Sequence, residues 1–171
     1  MTHRNSSTIA NVAVLTVSDS RHEGNDVSGD MICGLLAEHG HELRLRGMAP
    51  DDVDQIQGIV QSWLDEKNVN VIIVTGGTGA SKRDVTPEAL LPMCATCLSG
   101  FGELFRQLSF GEIGASSMLS RADAGLLDGE EHRVPLFLLP GSPQAVKLAV
   151  EQIILPQIGH LVDLCHEGTI K

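Results

Sequence analysis

Two short stretches carry the residue types and spacing for binding a phosphate. Thr75-Gly76-Gly77-Thr78-Gly79 follows a β-branched, apolar run at 69–75, and Leu139-Pro140-Gly141-Ser142-Pro143 ends a second such run at 134–139. Glycine lets a ligand approach the backbone closely, and a helix start just beyond the turn leaves N–H groups without acceptors. In the second stretch Ser142 stands where an N-cap belongs and Pro143 at the first helical position, so a capped helix with nothing bound explains it equally well. The first stretch continues to Lys82-Arg83-Asp84-Val85-Thr86-Pro87-Glu88, where Thr86 reads as a cap, Pro87 as the first helical residue and Glu88 as an acid at the positive end of the helix dipole. That reading leaves Asp84 without a task. Neither stretch has the spacing G-x-x-x-x-G-K-[ST] or G-x-G-x-x-G, so the common nucleotide-binding fingerprints are not met.

The elements that must position these loops follow from hydrophobic period. Short β-branched runs alternate with helical patterns, which predicts parallel strands joined by crossover helices. Residues 11–17 are apolar throughout, as in a strand covered on both faces, and a polar loop follows. A helix is expected over 28–39, with Ser28 or Asp26 as cap, Gly40 as a left-handed C-terminal residue and Met31, Ile32, Leu35 and Leu36 as its stripe. A strand of mixed character is read over 42–48. Val53, Ile56, Ile59, Val60, Trp63 and Leu64 then have helical spacing, with Trp63 in the core. The run at 69–75 is the central buried strand, and its C-terminal glycines lie where an open parallel sheet exposes its ligand-binding edge. A short amphipathic helix over 100–110 would bury Phe101, Leu104, Phe105 and Leu108 against the domain or another subunit. Runs at 122–127 and 134–139 flank Asp128-Gly129 and read as a hairpin that adds one antiparallel strand. Val146, Ala149, Val150, Ile153 and Ile154 give a last helical stripe.

The 171 residues suit one domain with a substantial core, and its N-terminal residues 1–8 are expected to be loosely ordered. The apolar runs are too short to span a bilayer and no leader pattern opens the chain, so a soluble cytoplasmic protein without a membrane partner is expected. A net charge of -10 with only 12 Lys and Arg lacks the basic footprint of a nucleic-acid binder. An anionic ligand must be held by local amides, a few cations or metal ions. Cys33, Cys94, Cys97 and Cys165 are too few and scattered for a disulfide framework. Cys94 and Cys97 have C-x-x-C spacing but no second pair, so packing at a helix end is expected and a thiol redox function stands as a third reading. The seven histidines lack metal-ligand spacing.

Four motifs occur in a fixed order: Thr16-Val17-Ser18-Asp19-Ser20-Arg21; the glycine loop with Arg83-Asp84-Val85-Thr86-Pro87-Glu88; Ser117-Met118-Leu119-Ser120-Arg121-Ala122; and Leu139-Pro140-Gly141-Ser142-Pro143. Together they resemble the molybdopterin-binding family. Gly100-Phe101-Gly102-Glu103-Leu104-Phe105-Arg106 brings the sequence closer to its MoaB branch than to its MogA branch, and the likeness extends over residues 9–164. The resemblance implies a three-layer α/β/α sandwich with a mostly parallel sheet and one antiparallel strand, assembled as a homo-oligomer, a trimer or hexamer. It also implies the chemistry of the active members, transfer of AMP from ATP to the phosphate of molybdopterin with release of pyrophosphate. Mg²⁺ is the implied cofactor, and ATP and molybdopterin are the implied substrates. Asp84 and Asp51 match the aspartates of active relatives and are thereby implied as catalytic and metal-holding residues, although Asp51 or Asp52 serves equally as an N-cap. Ser18, Asp19, Asp26, Gly76, Gly77, Thr78, Gly79, Ser117, Ser120, Gly141 and Ser142 are implied to contact substrate. Ser28 and Ser142 also read as caps and Asp19 as a turn residue, while Lys82 and Arg83 read as phosphate partners or solvated charges. A non-catalytic molybdopterin carrier or scaffold is the alternative function, since the MoaB branch is not uniformly assigned an activity.

Overall fold

In the computed structural model, residues 7–167 are described. The loose N-terminus expected over 1–8 therefore falls mostly outside the described residues, and within them the Thr8 hydroxyl donates to Asp163 Oδ1 at 2.5 Å. The apolar runs become six strands, β1 (Asn11–Val17), β2 (Glu42–Ala49), β3 (Val71–Thr75), β4 (Thr96–Cys97), β5 (Asp123–Asp128) and β6 (Arg133–Leu139). They form one sheet in the order β2-β1-β3-β6-β5-β4. β1 runs parallel to β2 and β3, β3 runs parallel to β6, and β5 is antiparallel to both β6 and β4. The expected hairpin is therefore present. Pro135 sits in β6 opposite Leu126 of β5, one residue before the β3 ladder begins at Ile72 and Leu136, so its missing N–H interrupts no bond to β3.

Helices cover both faces. α1 (Val27–Glu38), α4 (Ser99–Ile113), α5 (Pro143–Ala149) and α6 (Ile158–Glu167) share one apolar layer with Val12, Val14, Val71, Ile73, Phe137 and Leu139. α2 (Val53–Leu64) and α3 (Thr86–Leu90) pack on the other face with Ala13, Leu15, Ile72, Val74, Leu136, Leu138 and the buried Trp63. Alternate residues of β1, β3 and β6 thus feed two separate cores, which is why these strands read as unbroken apolar runs. The architecture is the three-layer sandwich that was expected. Among the described residues no single helix is long and apolar enough to cross a membrane.

Local expectations fare unevenly. Asp26, rather than Ser28, caps α1, its carboxylate accepting from the Gly29 amide at 3.0 Å. Thr86 is no cap. It is the first residue of α3 after the N-cap residue Val85, and its hydroxyl donates to the Gly76 carbonyl at 2.8 Å, because the glycine loop leaves that carbonyl directly above it. α4 runs past the expected 100–110 to Ile113, and the stripe after Ser142 passes from α5 into a π-turn at Val150–Ile154. β4 had no counterpart in the sequence reading, since a two-residue strand carries no period, and α6 had none either.

Candidate functional site

The chain leaves β1 for β2 on one side, then crosses by way of α2 to β3 on the other side of β1. The C-terminal ends of β1 and β3 therefore flank the point where the winding direction changes, the place where open α/β sheets bind ligands. The loops that meet there are sewn together by backbone carbonyls. Ser18 N–H donates to Ala49 O at 2.9 Å, Gly76 N–H to Leu139 O at 3.0 Å and the Thr75 hydroxyl to Pro140 O at 2.8 Å. Gly141 O accepts from the Ser28 hydroxyl at 2.8 Å and from Arg21 Nη2 at 2.6 Å, which ties the Pro-Gly-Ser turn to the loop after β1. Gly76 and Gly77 adopt φ of 100° and 64°, and a Cβ on Gly76 would run into the carbonyl oxygen of Val17.

Three carboxylates face this glycine turn. Asp52, not Asp51, caps α2 by accepting from the Gln55 amide at 2.9 Å, which releases Asp51 from the capping role. Asp51 Oδ1 is instead buried with no hydrogen-bond partner, 2.8 Å from the position a Cβ on Gly77 would take. Burial raises the Asp51 pKa, and the charges of Asp19 and Asp84 add to the rise while Arg83 offsets part of it. Asp19 moves the other way. It accepts from the Asp51 amide at 3.0 Å and from Arg83 Nη2 at 2.6 Å, and these outweigh its desolvation and hold it below the usual carboxylate range. Asp84 receives the Ser81 amide on Oδ2 at 3.0 Å, and its Oδ1 has no hydrogen bond among the described residues. A buried acceptor with no donor is costly unless a ligand completes it. The donor set is oxygen only and suits a hard divalent cation. No three His, Cys, Asp or Glu side chains among the described residues converge on one metal position. Mg²⁺ fits that count, because it commonly takes one or two carboxylates and completes its shell with water and substrate phosphate.

A family profile described as a probable molybdopterin binding domain matches residues 13–160. Over 155 residues the chain is 44% identical to molybdenum cofactor biosynthesis protein B of Staphylococcus epidermidis, spanning 88% of this chain and 86% of that protein. The chain belongs to the MoaB branch of the molybdopterin-binding family. A crystal structure of a molybdenum cofactor biosynthesis protein B, 39% identical, superposes with a TM-score of 0.88 over 94% of this chain and 98% of that one. The tungsten cofactor synthesizing protein MoaB of Pyrococcus furiosus, 34% identical, gives 0.83 over 92% and 98%. Membership of the MoaB branch carries a role in molybdenum cofactor biosynthesis.

The MoaB-type motifs do not all reach the crevice in the same way. Gly77, Gly79, Asp19, Asp51 and Asp84 come together there, with Gly141 packed 3.4 Å from Gly76 through the position of its would-be Cβ. Asp26 is fully buried, its oxygens occupied by the Thr16 hydroxyl at 2.7 Å, the Gly29 amide and Arg46 Nη2 at 3.0 Å. Ser142 caps α5 through the Ala145 amide at 3.3 Å, and the Ser18 hydroxyl closes a turn by accepting from Ser20 and Arg21 amides. Ser117 is buried in the 3₁₀ turn Gly114–Leu119, and the Ser120 hydroxyl accepts from the Ala122 amide at 3.3 Å. Thr78 is buried, with its carbonyl accepting from the Arg121 amide at 2.9 Å. Sequence reasoning missed Arg21, Ser28 and Thr86 as the residues that fix the glycine turns, and Arg121, whose only signal was its place in Ser120-Arg121-Ala122.

The Cys94 thiol donates to Leu90 O at 3.6 Å, at the end of the 3₁₀ turn Leu91–Met93, as packing at a helix end requires. Burial, with smaller contributions from Cys97 and Asp123, pushes it up to about 11. A shift in that direction disfavours the Cys94 thiolate, the form a redox-active thiol needs.

Proposed function

We propose that the chain transfers AMP from ATP to the phosphate of molybdopterin in a Mg²⁺-dependent reaction that releases pyrophosphate. A phosphate oxygen of molybdopterin forms a bond to the α-phosphorus of ATP as the bond from that phosphorus to the bridging oxygen breaks, and pyrophosphate leaves with the electron pair. The nucleophile is already an anion, so no general base is required. What the protein must do is align two anions and oppose the charge that gathers between them. The glycine turn offers close backbone approach, and Asp51 and Asp84 would hold the cation. When bound, Mg²⁺ supplies the neutralisation of phosphate charge that repelling anions need. The observation that carries the reading is the buried, unpartnered Asp51 Oδ1 beside Gly77, with the Asp84 carboxylate nearby.

The reading includes self-association into a trimer or hexamer. Leu104, Leu108, Phe110, Ile113, Met118 and Leu119, all exposed along α4 and the turn after it, support it.

The test is incubation of purified protein with molybdopterin, ATP and Mg²⁺, following adenylylated pterin and pyrophosphate. Wild type is expected to form both. Asp51→Asn and Asp84→Asn are each expected to lower the rate at least about 100-fold. Tight pterin binding without product would replace the transferase by a carrier.

A further inference from the structure

Asp84 sits at the end of a loop whose residues Ala80, Ser81, Lys82 and Arg83 are all exposed and contribute nothing to either core. Its carboxylate is held by the Ser81 amide of that same loop at 3.0 Å, so its position depends on what holds the loop. One side chain cross-ties the neck of this loop. Arg121 Nε donates to Gly79 O at 2.8 Å and Nη2 donates to Asp84 O at 2.7 Å, so one planar fork spans both ends of the exposed segment. Its Nη1 pairs with Glu88, on the helix that follows, and its own backbone N–H donates to Thr78 O at 2.9 Å. Four bonds from one residue thus fix positions 78, 79, 84 and 88.

Arg121 is in turn fixed by a second arginine. Arg106, on α4, donates from Nη1 to Ala122 O at 3.0 Å and to Ser120 O at 3.4 Å, the carbonyls on either side of Arg121. Gly102 makes room for this arrangement. A Cβ there would lie 2.7 Å from Ala122 O and 2.8 Å from Arg106 Nη2. An ordered chain of contacts therefore runs from helix α4 through Arg106 to Arg121 and on to the loop that ends in Asp84. Arg121 and Asp84 also line one cleft of about 580 Å³ with Ser81, Lys82 and Glu88.

We propose that Arg121 is the positioning residue that sets the Asp84 carboxylate for a divalent cation, and that Arg106 positions Arg121. The proposal rests on the reading of Asp51 and Asp84 as cation-holding residues. A guanidinium is required, because a single lysine ammonium cannot reach two carbonyls on opposite ends of the loop and a carboxylate at the same time. Arg121 does not touch substrate or cation in this account. Its effect is on where Asp84 is held, as outer-shell partners act on metal ligands.

The test is Mn²⁺ titration followed by electron paramagnetic resonance on the full-length wild-type protein, Arg121→Lys, Arg121→Met, Arg106→Met, Asp84→Asn and Asp51→Asn. Each variant is first checked for native circular dichroism and a cooperative melt. The expected result is saturable binding by wild type, loss in both aspartate variants, and weakening by roughly 10–100-fold in both Arg121 variants, with a smaller loss in Arg106→Met. Hydrogen exchange at residues 78–86 is expected to rise in the Arg121 variants in parallel. Folded Arg121 variants that bind Mn²⁺ like wild type while the aspartate variants do not would overturn the role of Arg121 and leave the cation site standing. Binding that is absent in wild type, or indifferent to Asp51 and Asp84, would overturn the cation reading and this proposal with it.

Discussion

At the residue scale the site is built from groups placed where they do not help folding. Asp51 is partly buried beside two other carboxylates, so its pKa is raised in the folded chain. A group that holds its proton more tightly folded than unfolded contributes stability below its unfolded pKa and loses it as pH rises through the folded value. At neutral pH the ionised Asp51 therefore opposes folding. Asp51→Asn is expected to raise Tm at pH 7 by roughly 2 °C, and the gain should vanish near about pH 3.5, where the wild-type carboxyl is itself protonated. Calorimetry at the two pH values checks this, and a lower Tm at pH 7 would mean that the carboxylate is satisfied by the protein alone. The glycines give a paired test. At Gly77, with φ of 64°, a Cβ would crowd the Thr86 hydroxyl and stand 2.8 Å from Asp51 Oδ1, so Gly77→Ala should cost about 2–3 kcal/mol in urea unfolding. Gly58, exposed in α2 with no atom within 4 Å of its would-be Cβ, should instead gain about 0.5–1 kcal/mol on Gly58→Ala.

At the scale of elements, the start of α1 is the joint on which one wall of the crevice depends. Burial works against the Asp26 charge, but the Thr16 hydroxyl, the Gly29 amide and Arg46 outweigh it and keep the pKa below its ordinary value. Arg46 reaches it from the edge strand β2 and also pairs with Asp30 at 2.7 Å, so the same cation ties β2 to α1. A depressed carboxylate contributes stability above its unfolded pKa, and that stability is lost as pH falls through the folded value. Asp26→Ala should therefore cost about 3 kcal/mol at pH 7, combining a lost cap with an Arg46 left without its buried partner. The cost should shrink when unfolding is measured below about pH 3. A pH-independent difference would assign the whole effect to packing.

At the scale of the molecule, residues 19, 51, 77, 84 and 141 meet because four separate connections, those after β1, β2, β3 and β6, start at one edge of the sheet. The apolar face of α4 lies on the same helix that carries Arg106, so whatever covers that face also touches the element that orders the Asp84 loop. If a second copy covers it, Phe110→Glu with Met118→Lys should shift the mass seen by light scattering from trimer or hexamer to monomer without loss of helix content. A wild type that is monomeric at working concentration would remove self-association from the proposed function.

Period and punctuation alone determined the α/β class, the five long strands, two of them as the hairpin around Asp128-Gly129, and the central glycine turn, because two-sided burial writes apolar runs and positive φ writes glycine. Asp84 stood out because capping chemistry could not explain it. Three matters waited for the tertiary structure. Asp51 and Asp52 are equivalent as letters, and only the path of the chain into α2 made one a cap and left the other partly buried with an unpartnered Oδ1. Asp26 read as a cap and as a ligand, and Thr86 as a cap, but their contacts to Arg46, 20 residues away, and to the Gly76 carbonyl are set by the tertiary structure. Arg121 reaches Gly79 across 42 residues and Asp84 across 37, and no local pattern records which distant carbonyls a guanidinium will meet. Local sequence fixes φ, caps and period, whereas the partners of a charged side chain are set by how the strands are ordered in space.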